Sequence, residues 1–354
     1  MSAFGRSWIT GIVVSAIAVA LTWIAPDFRL FQFATVASWA MAMLGLNLLT
    51  GFNGQISLGH GAFMGVGAYT VAISVREWAL PYGLAMALAF VLCFVIGGII
   101  GIPALRLPGT SLALITVALA LAFPQVIKKF SSVTNGVGGI STPPDSQFRA
   151  PDWTGMSNDQ FVYLVMAVIS IAMFWVAWNL TRGRWGLAMM SVRDNPVAAA
   201  SMGVNLPQTK VVTFAVSAGY AGMGGAMMSI ITPFVGPDSF GIGQSIAVLT
   251  GIVIGGLGTI AGALIGGVFQ VFMRTWALEI SDAAPGVVYG VVIVLVMLLA
   301  PGGVLGLLRR GYERLLRRRR GRSSSGSGPG DVLPAELETV TDSVEPPIPT
   351  GPVT

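Results

Sequence analysis

Long apolar runs recur along the chain and indicate its architecture. About ten of them approach the length of a membrane-spanning helix, at 8–25, 30–50, 56–75, 81–104, 109–128, 160–180, 210–232, 241–257, 259–279 and 287–307. A helix needs about 20 mostly apolar residues to cross a bilayer, whereas a barrel strand needs about ten. The runs therefore predict an all-α fold, a polytopic transmembrane helix bundle. Because 30–75 and 241–279 could each form one broken or re-entrant unit, we expect roughly eight to ten spans.

The composition agrees with a protein that lies in a membrane. Of the 354 residues, 54% are hydrophobic and 10% are charged, and the mean hydropathy is +0.77. Soluble domains average about 25% charged residues, so we expect an integral membrane protein. The apolar run at 8–25 is long enough to be retained as a first helix rather than removed as a signal peptide.

Basic residues are unevenly placed and suggest an orientation. Eight of the twenty Lys and Arg residues lie between Arg309 and Arg322. Basic residues beside a membrane helix favour the cytoplasmic side. Counting back through ten segments places the loop 181–209 on the same side and the loop 129–159 on the other. We expect a membrane domain at 1–308, followed at 309–354 by a basic and then disordered cytoplasmic tail, with both termini in the cytoplasm.

One segment combines polar side chains with many glycines inside this apolar chain. Residues 45–72 contain Asn47, Asn53, Gln55, Ser57 and His60 among seven glycines, at 45, 51, 54, 59, 61, 65 and 67. Polar groups at membrane depth usually face a bundle interior or a water-filled path, and glycines allow a helix to break. Asn53, Gln55, Ser57 and His60 are therefore candidates for a translocation path or for hydrogen bonds that hold a broken helix. For His60 we expect the second role.

Catalytic chemistry is poorly represented. The chain has no phosphate-binding loop, zinc-protease motif or nucleophile elbow, so no catalytic residue is predicted. A single histidine and a single cysteine disfavour a metal site, and no cofactor is expected. Acidic residues are nearly absent from the apolar runs, which disfavours an ion-coupled carrier. Energy for transport is therefore expected to come from a partner.

The loop 181–209 contains a short helix pattern. Asp194 or Asn195 can cap a helix whose first residue is Pro196, and Gly203 ends it after Met202. A short capped helix between two spans suits a soluble partner that presses on the membrane domain. A plain connecting loop is the alternative.

A third region, 236–267, is rich in small residues. Its spacings, such as Gly251–Gly255 and Gly262–Gly266, permit close helix crossing. The run 255–259 is expected to break a membrane helix in two. Pro237, followed by Asp238 and Ser239, is expected to cap the helix that follows.

Three segments together resemble one family. They are TGFNGQISLGHGAFMGVGAYT at 50–70, GRWGLAMMSVRDNPVAAASMGVN at 183–205 and PDSFGIGQSIAVLTGIVIGGLGTIAGALIGG at 237–267. All three resemble the permease subunit of branched-chain amino acid ABC importers. Two further blocks, at 105–121 and 132–140, fit the same family in the same order, so the resemblance covers roughly 35–307.

The resemblance implies partners and a mechanism. A permease of this family would lie in a bacterial plasma (inner) membrane with a second related permease, two cytoplasmic ATP-binding subunits and an extracytoplasmic solute-binding protein. The loop near 196–203 would be the segment that docks on an ATPase subunit, with Arg193, Asp194, Ala199 and Gly203 as coupling candidates. Its Ala198–Ala200 run departs from the Glu-Ala-Ala of many importers, so docking through a charge pair there is open. Two alternatives stay open: a urea or short-chain amide permease of the same family, and a stand-alone channel or ion-coupled carrier.

Overall fold

The computed structural model describes residues 3–104 and 109–280, together with 290, 291, 303 and 306. The long helices of this part are α1 (Ala3–Ile24), α2 (Asp27–Leu46), α3 (His60–Trp78), α4 (Tyr82–Ala104), α5 (Gly109–Lys129), α7 (Asn158–Arg182), α8 (Arg184–Asp194), α10 (Leu206–Ile231), α11 (Ile242–Gly255) and α12 (Ile260–Ile280). The short ones are α6 (Ser131–Thr134) and α9 (Pro196–Ser201), and the two strands are β1 (Ile140–Ser141) and β2 (Phe234–Val235). The first nine predicted segments each coincide with a helix. Apart from those four single residues, the tenth segment, at 287–307, lies outside the described residues, as do the basic segment and the tail.

Seven of the described helices are long and apolar enough to cross a membrane. This confirms the predicted all-α, polytopic architecture. The helix α2 and its continuation to Phe52 form one of the seven, and α10 forms another. In both, 83% of the most apolar window is buried inside the bundle, against 28% for α5 and α7. The helices α2 and α10 are therefore central, and α5 and α7 present much of their surface to the surroundings.

Glycines bring α3 and α10 into backbone contact. A Cβ added at Gly67 in α3 would meet the backbone carbonyl of Gly222 in α10. One added at Gly225 in α10 would meet the backbone carbonyl of Met64 in α3. Helices in lipid associate largely through such close packing of small residues. The α3–α10 contact therefore depends on the absence of side chains at these positions.

The connecting segments lie at two opposite ends of the bundle. At one end, Ser157 Oγ donates to Asp27 Oδ1 at 2.8 Å, and β1 pairs with β2 so that Ile140 lies opposite Val235. The helix α7 runs from this end to the other, where α8 and α9 follow. The loops 129–159 and 181–209 are therefore at opposite ends, as their separation by one span predicts.

The cap predicted at Pro237–Ser239 is wrong. These residues begin a 3₁₀ turn, Pro237–Phe240, and α11 starts at Ile242 with Gly241 before it and no side-chain cap. The carboxylate of Asp238 instead accepts from Lys128 Nζ of α5 at 2.6 Å. Asp238 is too far ahead of α11 to reach its first N–H groups, and the lysine ammonium is the nearer partner for its charge.

Candidate functional site: two joined helix breaks

The first helix break follows α2. The chain continues as a π-helix, Asn47–Phe52, and then runs without regular structure until α3 begins at His60. The hydroxyl of Thr50 donates to the carbonyl of Gln55 at 2.9 Å, and the N–H of Gln55 donates to the carbonyl of Leu49 at 3.1 Å. Single π-helical turns occur frequently at functional sites. The polar segment identified in the sequence is thus a real interruption between two helices.

The second break separates α11 from α12 and confirms the prediction for 255–259. Gly256 and Gly258 have φ of 121° and 74°, which side-chain-bearing residues rarely adopt. The hydroxyl of Thr259 donates to the carbonyl of Gly256 at 2.7 Å. The glycines therefore allow the chain to turn here, and the threonine satisfies a carbonyl that the interrupted helix leaves free.

Asn47 joins the two breaks. Its Nδ2 donates to the carbonyl of Thr259 at 2.7 Å, and its Oδ1 accepts from the N–H of Gly258 at 2.8 Å. The side chain is fully buried. A primary amide is both donor and acceptor, so a single asparagine can satisfy two backbone groups of the second break. The two interruptions, far apart in sequence, are consequently one structural unit.

Arg193 joins the loop segment to the first break. It lies in the last turn of α8, and its Nη1 donates to the carbonyl of Gly51 at 2.7 Å. Its Nε and Nη2 each lie 3.0 Å from Asp194 Oδ1. A Cβ added at Gly54 would be 2.7 Å from Arg193 Cγ, so the arginine lies directly against the unstructured segment. The structure thus brings Arg193 together with the polar segment of the sequence.

His60 belongs to a buried hydrogen-bond network. Its Nε2 lies 2.8 Å from Ser217 Oγ, and that hydroxyl donates to the carbonyl of Gly45 at 2.7 Å. Because the Ser217 proton is used there, His60 Nε2–H is the donor to Ser217 Oγ. The other nitrogen, Nδ1, is then an acceptor for the hydroxyl of Ser57 at 3.3 Å. His60 is 1% exposed, and it ties the start of α3 to α10 and α2.

Hydroxyl groups of other helices hold the segment that leads into α3. The N–H of Leu58 donates to Thr116 Oγ1 of α5 at 2.9 Å. The N–H of Gly61 donates to Ser245 Oγ of α11 at 2.9 Å. The sequence analysis did not single out Thr116, Ser217 or Ser245. The sequence nevertheless contained a signal for them: each is a small polar residue inside an apolar helix, and such residues commonly hydrogen-bond across a bundle.

Two candidate side chains have unpaired polar atoms in the described part of the chain. Asn53 is 2% exposed, and neither its amide nitrogen nor its amide oxygen has a hydrogen-bond partner there. The amide nitrogen of Gln55 is also buried and without a partner among these residues. Buried polar groups are rarely unpaired, and each costs about 1–3 kcal/mol. The first break is therefore a place where a further polar partner would be stabilising.

The loop helix has the predicted form. Asn195 Oδ1 accepts from the N–H groups of Val197 and Ala198 at 3.1 and 3.0 Å, so Asn195 is the N-cap. The helix ends at Ser201, and Gly203 follows with φ of 82°. Ala199 is buried, while the apolar side chains at 197 and 202 are 77% and 86% exposed. The helix therefore presents an apolar surface at this end of the bundle.

The described residues contain no group of three or more His, Cys, Asp or Glu side chains able to hold a metal ion. An apolar cavity of about 160 Å³ lies beside the first break, between the π-helix, α7, α8 and α10. What this arrangement offers is a pair of joined, glycine-rich helix interruptions whose backbone can change conformation.

Comparison with known proteins places the chain in context. The model of the family described as "Branched-chain amino acid transport system / permease component" matches residues 29–301. The high-affinity branched-chain amino acid transport system permease protein LivM of Salmonella typhimurium is 29% identical over 286 residues, which are 75% of this chain and 67% of the relative. LivH of the same bacterium is 26% identical over 300 residues, 78% of this chain and 94% of the relative. A probable LivH of Methanocaldococcus jannaschii is 25% identical over 290 residues. No solved structure matches the chain significantly.

Proposed function

This chain belongs to the family of permease components of branched-chain amino acid transport systems, and we propose that it moves branched-chain or similar hydrophobic amino acids inward by alternating access, driven by separate ATPase subunits. The observation that carries the proposal is the hydrogen bond from Arg193 to the carbonyl of Gly51. Through it, a partner that moves α8 and α9 would act on glycine-rich breaks among apolar helices. Such breaks are where helical proteins absorb large backbone changes.

The proposed assembly has a second permease, two ATPase subunits and a solute-binding protein. Salmonella typhimurium has two kinds of relative, LivM and LivH, each similar to this chain over about three quarters of its length. This supports pairing with a related but non-identical permease. The end that carries α8 and α9 has three arginines, at 182, 184 and 193, and we place it in the cytoplasm of a bacterial plasma membrane.

The unpaired amides of Asn53 and Gln55 support a position on the translocation path. Both residues lie in the first break. Their buried atoms without a hydrogen-bond partner among the described residues are the two amide nitrogens, which are donors, and the amide oxygen of Asn53, which is an acceptor. An amino acid offers an ammonium donor and carboxylate acceptors, so it could satisfy them in turn. When no substrate is bound, polar groups of a partner permease could form these hydrogen bonds instead.

Docking of an ATPase subunit on α9 is expected to be mainly apolar. Val197 is exposed, and Arg193 and Asp194 are already paired with each other. Val197→Asp should therefore reduce the amount of ATPase subunit that co-purifies at least fivefold while membrane abundance is kept, because a charge would be buried without a partner. Val137→Asp is the matched control, since Val137 is 73% exposed at the opposite end. Equal loss with both variants would contradict docking at α9.

Uptake of labelled leucine tests the function as a whole. A strain that lacks the chain should lose ATP-dependent uptake of branched-chain amino acids, and the restored chain should recover it. Urea, short amides and other amino acids are included as competitors. Unchanged uptake of all branched-chain amino acids would overturn the proposal, and uptake inhibited only by urea or amides would favour that alternative.

A stand-alone channel or carrier predicts a different result. The purified chain in liposomes would then move leucine without ATPase subunits. We expect no movement from the chain alone, since acidic residues that could bind a driving ion are scarce in its spans.

A further inference from the structure

We infer that Arg193 and Asn47 form a physical connection that transmits movement of α8 and α9 to both helix breaks, rather than Arg193 serving as a docking charge. This inference rests on the proposed function, because it assigns the route by which an ATPase partner would act. The Arg193–Asn47 connection consists of Arg193, Gly51, Asn47, Gly258 and Thr259.

The first part of the connection runs from the loop to the π-helix. Arg193 is two residues before Asn195, the cap of α9, so any displacement of α9 moves it directly. Its guanidinium holds the carbonyl of Gly51 at 2.7 Å through a charge-assisted hydrogen bond, which is stronger than a neutral one. Asp194 binds two other nitrogens of the same group and fixes its orientation. Arg193 is therefore held between the loop and the first break.

The second part runs from the π-helix to the second break. Gly51 lies one turn after Asn47, and a Cβ added at Gly51 would meet both Asn47 Oδ1 and the backbone nitrogen of Gly258. A Cβ added at Gly258 would lie 3.7 Å from Arg193 Nη1. The two breaks and the arginine thus converge on one point. A shift of the Gly51 carbonyl would therefore displace the Asn47 side-chain amide and disturb its two hydrogen bonds to the second break.

The surroundings concentrate movement at this point. The neighbouring helices are locked by backbone contacts, as at Gly225 against Met64, so they are expected to move as rigid bodies. The breaks contain Gly54, Gly256 and Gly258, each with positive φ, where the backbone has several accessible conformations. A displacement of Arg193 would therefore change the backbone conformation of the breaks and leave that of the helices unchanged.

The arginine's own contacts argue against a docking role. Its Nε, Nη1 and Nη2 are all engaged within the chain, and its side chain is 38% exposed. A docking charge would be expected to project with free donors. Arg184, the first residue of α8, is exposed, which makes it a matched control for loss of one positive charge.

The decisive experiment measures both coupling and movement in the assembled transporter. Arg193→Ala should still co-purify with its ATPase subunits and hydrolyse ATP, but leucine moved per ATP should fall at least tenfold. Arg193→Lys, which keeps the positive charge but on a single nitrogen, should recover part of the loss. Arg184→Ala should behave as the wild type. A ratio unchanged in Arg193→Ala would overturn the inference.

A cysteine probe reports on the second break without relying on the substrate. Leu257→Cys places a thiol at a 44% exposed position of that break, and the native Cys93 is buried. In the wild-type background, labelling by a polar maleimide should differ between nucleotide-free and ATP-bound transporter. Adding Arg193→Ala should remove the difference. A difference that persists in Arg193→Ala would overturn the connection alone, whereas failure of the wild type to take up any branched-chain amino acid would overturn the proposed function.

Discussion

Gly225→Ala is expected to lower the amount of the protein in the membrane several-fold and to lower its thermal stability. The added methyl group would press on the backbone carbonyl of Met64 in α3, and both residues are buried. Forcing extra atoms into a packed core typically costs about 1–3 kcal/mol, and a backbone obstacle relaxes less than a side chain. Native proteins are stable by only about 5–15 kcal/mol. Membrane abundance and the thermal unfolding of the purified chain measure the effect.

Gly98→Ala provides the matched control for this prediction. Gly98 is also a helical glycine, in α4, but the nearest atom to an added Cβ is Ala215 Cβ at 3.8 Å, an ordinary van der Waals contact. We expect abundance and thermal stability close to wild type. Equal abundance of Gly225→Ala and Gly98→Ala would show that the α3–α10 crossing is looser than the contact implies.

His60→Ala is expected to lower transport and membrane abundance together. The change leaves the hydroxyls of Ser57 and Ser217 without their histidine partner and opens space at the start of α3. Unpaired buried groups and the cavity together should destabilise the fold by about 2–5 kcal/mol. The measurement is leucine uptake divided by the amount of protein in the membrane, which should remain near the wild-type ratio.

Serine variants separate this network from general sensitivity to buried substitutions. Ser217→Ala removes two hydrogen bonds and should reduce abundance as His60→Ala does. Ser170→Ala removes a buried hydroxyl of α7 that has no hydrogen bond within the described residues, so it should leave membrane abundance nearly unchanged. A fall in uptake per protein molecule in His60→Ala, with abundance preserved, would contradict a shaping role and place the imidazole on the path.

The four polar candidates at the first break differ in their hydrogen bonding. Ser57 and His60 are paired within the chain and hold α3 in place, whereas Asn53 and Gln55 retain unpaired amide atoms among the described residues. The four candidates from the sequence therefore fall into two groups. Assignment of the second group to the translocation path remains a prediction.

Several features of the fold were predictable because they are local. Nine apolar runs each marked a described helix within a few residues, and the Asn195–Pro196 pair marked the start of α9. The glycines at 255–258 marked the second break. The cap at Pro237 failed because a longer-range ion pair, between Asp238 and Lys128, competes for the carboxylate.

The sequence by itself determined that the chain is a helical membrane protein with two interrupted helices and a capped loop helix. In lipid a helix pairs its backbone groups within its own segment, so helix length and hydrophobicity are properties of short stretches. Only the tertiary structure decided what the polar residues do. Asn47 reaches Thr259, His60 reaches Ser217 and Arg193 reaches Gly51, over separations of 212, 157 and 142 residues. Such pairs depend on which helices pack together, and close packing is a property of the whole bundle.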